Sequence, residues 1–411
     1  MKERWQKIIL ILGIIGPGLV TAFADNDAGG ITTYSLVGAH YGYKMLWMLF
    51  LITFSLAFFQ EMVARLGAVT GKGLSDLIRE EFGLRWTLFA MVVLLVANLT
   101  TTIADFAGVA ASLEILGISK YVSVPLVSIA LWLLVIKGSY RFVERFFLIV
   151  AVFFATYVVA GFLAKPDWGL AVTSLVKPQF VWETDYLVLF IATIGTTITP
   201  WMQFYLQASV VDKGITIKHY KYSRWDVLVG AFFTDFISFF IIVTCAATLF
   251  KAGIPIHDAK DAALALKPLA GHYASVLFAL GLFVASMMAA SIVPLSTSYA
   301  VCEAFGQENG LNKKFSEAPV FFILYTLLII FGALSVLIPG LPLIKVMVLA
   351  QTVQGILLPV ILIFILLLLN NRDVMGEHVN GKIYNTVAVI TVAGIIAVTM
   401  ILLVLTVIGK A

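Results

Sequence analysis

Charged side chains are scarce in this chain of 411 residues. Only 12% of the residues are Asp, Glu, Lys or Arg, whereas 61% are hydrophobic, and the mean hydropathy is +1.02. Soluble domains carry about twice that charged fraction, so the composition predicts an all-α membrane protein. The net charge of +4 is small and the basic residues lie mostly in loops, which gives no support for nucleic-acid binding.

Cysteine is nearly absent as well. Cys245 and Cys302 both lie in apolar stretches and are predicted to be small buried side chains rather than a disulfide or a metal site. No group of residues with catalytic chemistry stands out. The sequence therefore predicts neither an enzyme nor a bound cofactor.

Long apolar runs, by contrast, fill the chain. Runs of about 18 or more apolar residues mark membrane helices, and eleven such spans form one predicted transmembrane domain over residues 1–411. Spans 1 to 11 are predicted at 7–37, 44–70, 86–116, 121–137, 143–164, 186–212, 226–251, 269–306, 318–338, 343–370 and 383–409.

The loop charges predict the orientation of these spans. Most of the 27 Lys and Arg lie on the side of the N-terminus, and positive loops stay in the cytoplasm. We therefore expect a multi-pass protein of the cell membrane (inner or plasma), with a cytoplasmic N-terminus and an extracytoplasmic C-terminus. Eleven spans fit two inverted repeats of five, at about 7–165 and 185–371, plus one helix at 383–409. Nothing favours oligomerisation, so we expect a monomer in the lipid bilayer.

Two spans are interrupted by residues that a lipid-exposed helix does not tolerate. Span 1 breaks at Asp25, Asn26 and Asp27, and span 6 breaks at Thr199-Pro200. Unsatisfied polar groups in lipid cost several kcal/mol each, so both breaks are expected to line a cavity enclosed by protein. Broken helices at corresponding positions in two halves indicate a transporter's binding site, and the acidic and amide oxygens indicate a cation.

Several motifs resemble the natural resistance-associated macrophage proteins (Nramp), a family of divalent-metal transporters. Gly16-Pro17-Gly18, Asp27-Ala28-Gly29-Gly30 and Thr33 follow the spacing of the family's GPG…DPGN..T signature. The resemblance implies a LeuT-like fold with helices 1 and 6 broken, and secondary transport of a divalent ion by alternating access. Further matches are Arg65-Leu66-Gly67, Thr70-Gly71-Lys72, Ala104-Asp105-Phe106-Ala107, Ser298-Tyr299-Ala300, Glu303-Ala304-Phe305, Gln351 with Pro359, and Met375-Gly376-Glu377.

The resemblance also implies a set of metal ligands around the two breaks. They are oxygen donors: the Asp27 carboxylate, the carbonyls of Ala24 and Thr196, the Thr199 hydroxyl and the Gln351 amide. Two residues of the first break keep two readings each. Asp25 is a ligand, directly or through water, or a helix cap, and Asn26 is a ligand or a turn residue.

Departures from the family pattern determine the predicted cargo. The family has Met-Pro-His in span 6, where this chain has Thr199-Pro200-Trp201, and Gly30 replaces the Asn of the signature. Oxygen ligands suit Mg²⁺, Ca²⁺ and Mn²⁺, and Mg²⁺ usually keeps several waters. The pattern resembles the Nramp-related magnesium transporters of prokaryotes and predicts uptake of partly hydrated Mg²⁺, and also of Mn²⁺. Met202, one helical turn from Thr199, leaves open whether a sulfur reaches the ion.

Groups that carry protons in the family are missing here. Trp201 replaces the family's His, and Gly108 stands where the family has an acid three residues after Asp105. Proton relays need titratable groups within reach of one another, so we expect transport without proton coupling. The alternative is a proton-coupled Mn²⁺/Fe²⁺ symporter of the Nramp type. A Na⁺-coupled symporter for an organic solute is a remote alternative, since Asp25 and Asp27 would repel a carboxylate.

Four other polar residues lie inside spans and are candidates for the ion pathway or its gates. Asp105 matches a family position on the cytoplasmic exit path, and Gln203 is placed to orient water. Glu61 and Asp235 either pair with a nearby donor or attract cations, because an acid in a span is costly without a purpose. The sequence leaves those two readings open.

Overall fold

The fold is helical throughout the residues that the computed structural model describes, which are 17–137, 154–267 and 271–407. Within these ranges nine helical segments are long and apolar enough to cross a membrane. They coincide with predicted spans 2 to 4 and 6 to 11. Predicted spans 1, 5 and 8 begin outside the described residues.

The helices follow one another with short connections. They are α1 (Pro17–Asp25), α2 (Ala28–Tyr41), α3 (Leu46–Thr70), α4 (Leu74–Ile115), α5 (Lys120–Lys137), α6 (Ala155–Leu163), α7 (Trp168–Val176), α8 (Thr184–Thr197), α9 (Pro200–Asp212), α10 (Tyr220–Cys245, continued by a π-helical turn Ala246–Phe250), α11 (Ala259–Ala263), α12 (Ala274–Ala304), α13 (Pro319–Val336), α14 (Leu343–Asn370), α15 (Arg372–Met375) and α16 (Lys382–Val407).

Both predicted breaks are confirmed. Span 1 consists of α1 and α2, and Asp27 is the N-cap of α2, where its side chain accepts the backbone N–H of Gly30. Span 6 consists of α8 and α9, and Pro200 opens α9 with Thr199 as its N-cap. Proline suits the first position of a helix because its missing N–H is unpaired there in any case.

Two predicted helix boundaries are wrong. Helix α4 begins at Leu74 rather than at residue 86, because a charged, partly exposed first segment is joined to the apolar span through Gly83. Gly83 has φ of 76°, a conformation that glycine adopts without steric cost. Helix α10 begins at Tyr220 rather than at residue 226. Hydropathy misses such ends because their residues are polar or amphipathic.

Close backbone contacts fix the broken helices against their neighbours. A Cβ atom on Gly18 would lie 2.7 Å from the backbone of Val227, so α1 packs directly on α10. A Cβ on Gly195 would overlap the Gln351 carbonyl, so α8 and α14 are in backbone contact as well. Small residues permit such approach between membrane helices. These contacts bring α14 to the level of both breaks.

Candidate metal site

Asp27 and Gln351 form the centre of the site. The Gln351 Nε2 donates to both carboxylate oxygens of Asp27, at 3.0 and 2.9 Å, and the Gly30 N–H donates to Oδ1 at 2.5 Å. Asp27 is 1% exposed and Gln351 is fully buried. A side chain on Gly29 would overlap the Gln351 amide, so the glycine permits this contact. The structure thus joins two residues that are 324 positions apart, at the first break.

Gly30 leaves a small oxygen-lined space beside the carboxylate. A Cβ atom on this residue would lie 2.9 Å from Thr196 Oγ1, 3.2 Å from the Asp25 carbonyl oxygen and 3.2 Å from Asp27 Oδ1. Three oxygens from both breaks therefore surround one point. All three distances are within or near the hydrogen-bonding range of a water molecule.

Four buried oxygens around the breaks have no hydrogen-bond partner. They are Thr196 Oγ1, Thr199 Oγ1, Gln351 Oε1 and Asp25 Oδ1. Buried polar atoms are nearly always satisfied, so orphaned ones indicate the place of an ion or of water. The unpaired atoms are acceptors or hydroxyls, which fits a cation and its water shell.

Sequence reasoning found the residues of this site more reliably than their donor atoms. Thr196 was expected to offer its carbonyl, but its hydroxyl is the atom that faces Gly30. The Asp25 carbonyl, rather than only that of Ala24, also faces this space. Ala24 is fully buried in the last turn of α1, and its role as a ligand stays a prediction. The small size of Gly30 was the signal in the sequence for this space.

Met202 points away from a ligand role. Its sulfur accepts a hydrogen bond from Gln60 Nε2 of α3 at 2.9 Å, and the side chain is fully buried. Among the described residues, no three His, Cys, Asp or Glu side chains converge in a way that could hold a metal ion. The donors at the break are therefore mainly amide, hydroxyl and carbonyl oxygens around one carboxylate.

Asn26 is committed to the helix packing. Its Nδ2 donates to Thr234 Oγ1 at 2.5 Å, and its Oδ1 accepts from Ser238 Oγ at 3.2 Å. Both polar ends of the amide therefore bind α10. This favours the turn reading of Asn26 over the ligand reading.

Asp105 and Gln203 are both buried near the breaks. Asp105 lies beside the backbone N–H of Ala28, and its charge acts on Asp27, so the structure places it at the level of the first break. Neither carboxylate oxygen of Asp105 and neither polar atom of Gln203 has a hydrogen-bond partner. Their roles in the pathway stay predictions.

Glu61 and Asp235 differ in their surroundings. Glu61 pairs with Arg65 at 3.6 Å and accepts a hydrogen bond from Tyr220. The pairing reading fits Glu61. Asp235 is 3% exposed, and neither of its carboxylate oxygens has a partner.

Comparisons with known proteins agree with this architecture. The family model described as natural resistance-associated macrophage protein-like matches residues 18–405. The divalent metal cation transporter MntH of Pectobacterium carotovorum is 26% identical over 97% of this chain and 95% of its own length. MntH of Burkholderia ambifaria is 27% identical over 92% and 85%. A crystal structure of the Eremococcus coleocola manganese transporter, 19% identical, superposes with a TM-score of 0.77 over 95% of this chain and 86% of that chain.

The helical fold with two broken spans is the LeuT-like fold, and it defines a multi-pass membrane transporter rather than an enzyme. The match over nearly the whole chain then gives the family. The chain belongs to the Nramp-like proteins and is a divalent metal cation transporter.

Proposed function

We propose that the protein takes up Mg²⁺, and also Mn²⁺, as a partly hydrated ion that binds at the two breaks. The observation that carries this proposal is the space at Gly30, with three oxygens within 3.2 Å of one point. A water of the ion's shell at that point would be within or near hydrogen-bond distance of all three. Mg²⁺ dehydrates reluctantly and suits a site that leaves room for water.

The proposed ligands are the oxygen donors expected from the sequence. The Asp27 carboxylate supplies the charge, and the Thr199 hydroxyl and the Gln351 amide oxygen are buried and unpaired. Carbonyls of the two breaks, among them those of Ala24 and Thr196, complete the set directly or through water. Water-mediated contacts cost little affinity, so the set does not have to be closed by protein atoms alone.

Absent proton carriers support transport without proton coupling. Trp201 is fully buried where the family has a His. A side chain at Gly108 would overlap Ala28 and Ser286, so the packing of α4 against α2 and α12 leaves no room for the family's acid. A monomer with its N-terminus in the cytoplasm, in the cell membrane, completes the proposal. The bounds of the two repeats belong to it as well.

The test uses purified protein in liposomes that contain a Mg²⁺-sensitive dye and a pH-sensitive dye. The proposal predicts Mg²⁺ entry without acidification, and loss of that entry in Asp27→Asn. Asp185→Asn, which removes an exposed acid at the start of α8, is the matched control and should transport normally. Entry of Mn²⁺ and Cd²⁺ with acidification, and no Mg²⁺ entry, would contradict the proposal.

A proton-coupled transporter of Mn²⁺ is the second candidate. It is favoured by the relatives, which are named as divalent metal cation transporters and as a manganese transporter. Asp105 is the described acid nearest to this reading, since it is buried, unpaired and beside the Asp27 site. Acidification that disappears in Asp105→Asn, while Mn²⁺ still binds, would favour this second candidate.

A further inference from the structure

Buried positive charge is almost absent from the described part of the chain. Only Arg65 and Lys120 are basic side chains with less than a tenth of their surface exposed. Arg65 pairs with Glu61 and donates to the His378 carbonyl, and Lys120 donates to backbone carbonyls at the end of α13. Neither is available to the acids at the breaks. Charges buried in a membrane protein are normally paired, so these acids need another counter-charge.

Asp25 and Asp235 form a second acidic pair next to the Asp27 site. Each is 3% exposed, and they lie close enough for their charges to interact. Asp25 Oδ1 and both carboxylate oxygens of Asp235 lack hydrogen-bond partners. Because the carbonyl of Asp25 faces Gly30, its backbone contributes to the first site while its side chain interacts with α10.

The neighbours of this pair are neutral, and several have already used their protons. Thr53 donates to the Leu49 carbonyl at 2.7 Å, and Ser238 donates to Asn26 or to the Thr234 carbonyl. These side chains leave no hydroxyl proton to offset the carboxylates. Tyr34, which also lies near both acids, shares a hydrogen bond of 2.8 Å with the Thr197 hydroxyl.

The backbone increases the negative potential around Asp25. Asp25 is the last residue of α1, and the C-terminal end of a helix carries partial negative charge. Asp105 differs, because it lies beside the N–H of Ala28 at the positive end of α2. The unpaired negative charge is therefore concentrated between Asp25 and Asp235.

We infer that Asp25 and Asp235 hold a second divalent cation, adjacent to the ion at Asp27 and on the α10 side of the first break. Two carboxylates match the charge of one such ion, and the hydroxyls around them suit the waters that it keeps. This site goes beyond the proposed function, because it does not depend on which divalent metal the protein carries.

Equilibrium dialysis of the purified transporter with Mn²⁺ tests the inference. We expect two Mn²⁺ per chain in the wild type, one in Asp235→Asn and one in Asp27→Asn, which lose different ions. Asp185→Asn removes an exposed acid and should keep two. One Mn²⁺ in the wild type, or an unchanged stoichiometry in Asp235→Asn, would overturn the inference; a proton would then be the counter-charge of the pair.

A second measurement uses the wild type and does not depend on the folding of a variant. Asp235 and Thr53 lie at a cavity of about 270 Å³ whose other lining residues are apolar and lie on α3, α7 and α10. An apolar carbodiimide that enters this cavity adds the carboxyl O–H of Asp235 across its C=N bond, and the adduct is detected by mass spectrometry. We expect Mn²⁺ to prevent the labelling. Labelling that is the same with and without Mn²⁺, whether complete or absent, contradicts the inference.

The two proposals fail separately. Two bound Mn²⁺ without Mg²⁺ entry into liposomes would reject magnesium uptake and leave the second site intact. Mg²⁺ entry with a single bound ion would reject only the second site.

Discussion

Single residues at the breaks determine what the site can hold. Gly30, Thr199 and Gln351 differ in role, but each either supplies an oxygen or leaves room for one. The sequence predicts Asp27 and Gln351 because a carboxylate and an amide are costly inside apolar spans unless they bind something there. It does not predict the Thr196 hydroxyl, because the direction of a side chain at a helix end depends on the packing of α8 against α14.

Replacing Gly30 with Asn should reduce Mg²⁺ uptake. The added Cβ would lie 2.9 Å from Thr196 Oγ1, which is tighter than ordinary packing, and the amide would occupy the proposed water position. We expect at least a tenfold lower initial rate of Mg²⁺ entry into liposomes, as for the loss of about 1.4 kcal/mol of transition-state stabilisation. Gly381→Asn, at a position with no atom within 4 Å of an added Cβ, is the control. Equal rates in the two variants would contradict this role of Gly30.

Replacing Thr199 with Met should increase the affinity for Cd²⁺. Thr199 Oγ1 is buried and unpaired at the start of α9, so a thioether there would offer a soft ligand to a soft metal. We expect a Cd²⁺ dissociation constant at least tenfold lower, measured by calorimetry. Thr199→Val removes the hydroxyl without adding sulfur and should not bind Cd²⁺ more tightly. A gain in both variants would mean that Thr199 does not face the ion.

At the scale of helices, the two breaks are predictable and several helix ends are not. Asp27 and Pro200 indicate their breaks through capping and a missing N–H, which are local properties. The start of α4 at Leu74 is not readable from hydropathy, because its first turns are amphipathic and Gly83 joins them to the span. The contact of α1 with α10 through Gly18 depends on residues that are 208 positions apart.

Helix α1 is attached to α10 by a buried hydrogen bond. The backbone N–H of Gly18 donates to Asp226 Oδ2 at 2.7 Å. Asp226→Ala would leave that N–H without this acceptor, and an unsatisfied buried donor costs about 1–3 kcal/mol. We expect a clearly lower thermal unfolding temperature in detergent. Asp167→Ala removes an exposed side chain that accepts the Leu170 N–H and should have a smaller effect, about 1 kcal/mol. The reverse order would show that the bond to α1 contributes little.

At the scale of the whole molecule, uncoupled transport of a divalent ion moves two charges across the membrane. Each charge gains about 2.3 kcal/mol per 100 mV, so two gain about 4.6 kcal/mol. At equilibrium this corresponds to an accumulation ratio on the order of 10³ per 100 mV. We expect Mg²⁺ entry into liposomes to rise with an inside-negative potassium diffusion potential and to be unaffected by a pH gradient. Entry that follows the pH gradient would contradict uncoupled transport.

The chemical nature of the ion's neighbours tests the central proposal most directly. X-ray absorption and electron–nuclear double resonance of Mn²⁺ bound to the purified protein report the ligand atoms and the exchangeable protons of bound water. An oxygen-only shell that contains several waters and is lost in Asp27→Asn is the predicted result. A sulfur ligand, or an ion without water, would contradict a hydrated ion held by oxygens at the two breaks.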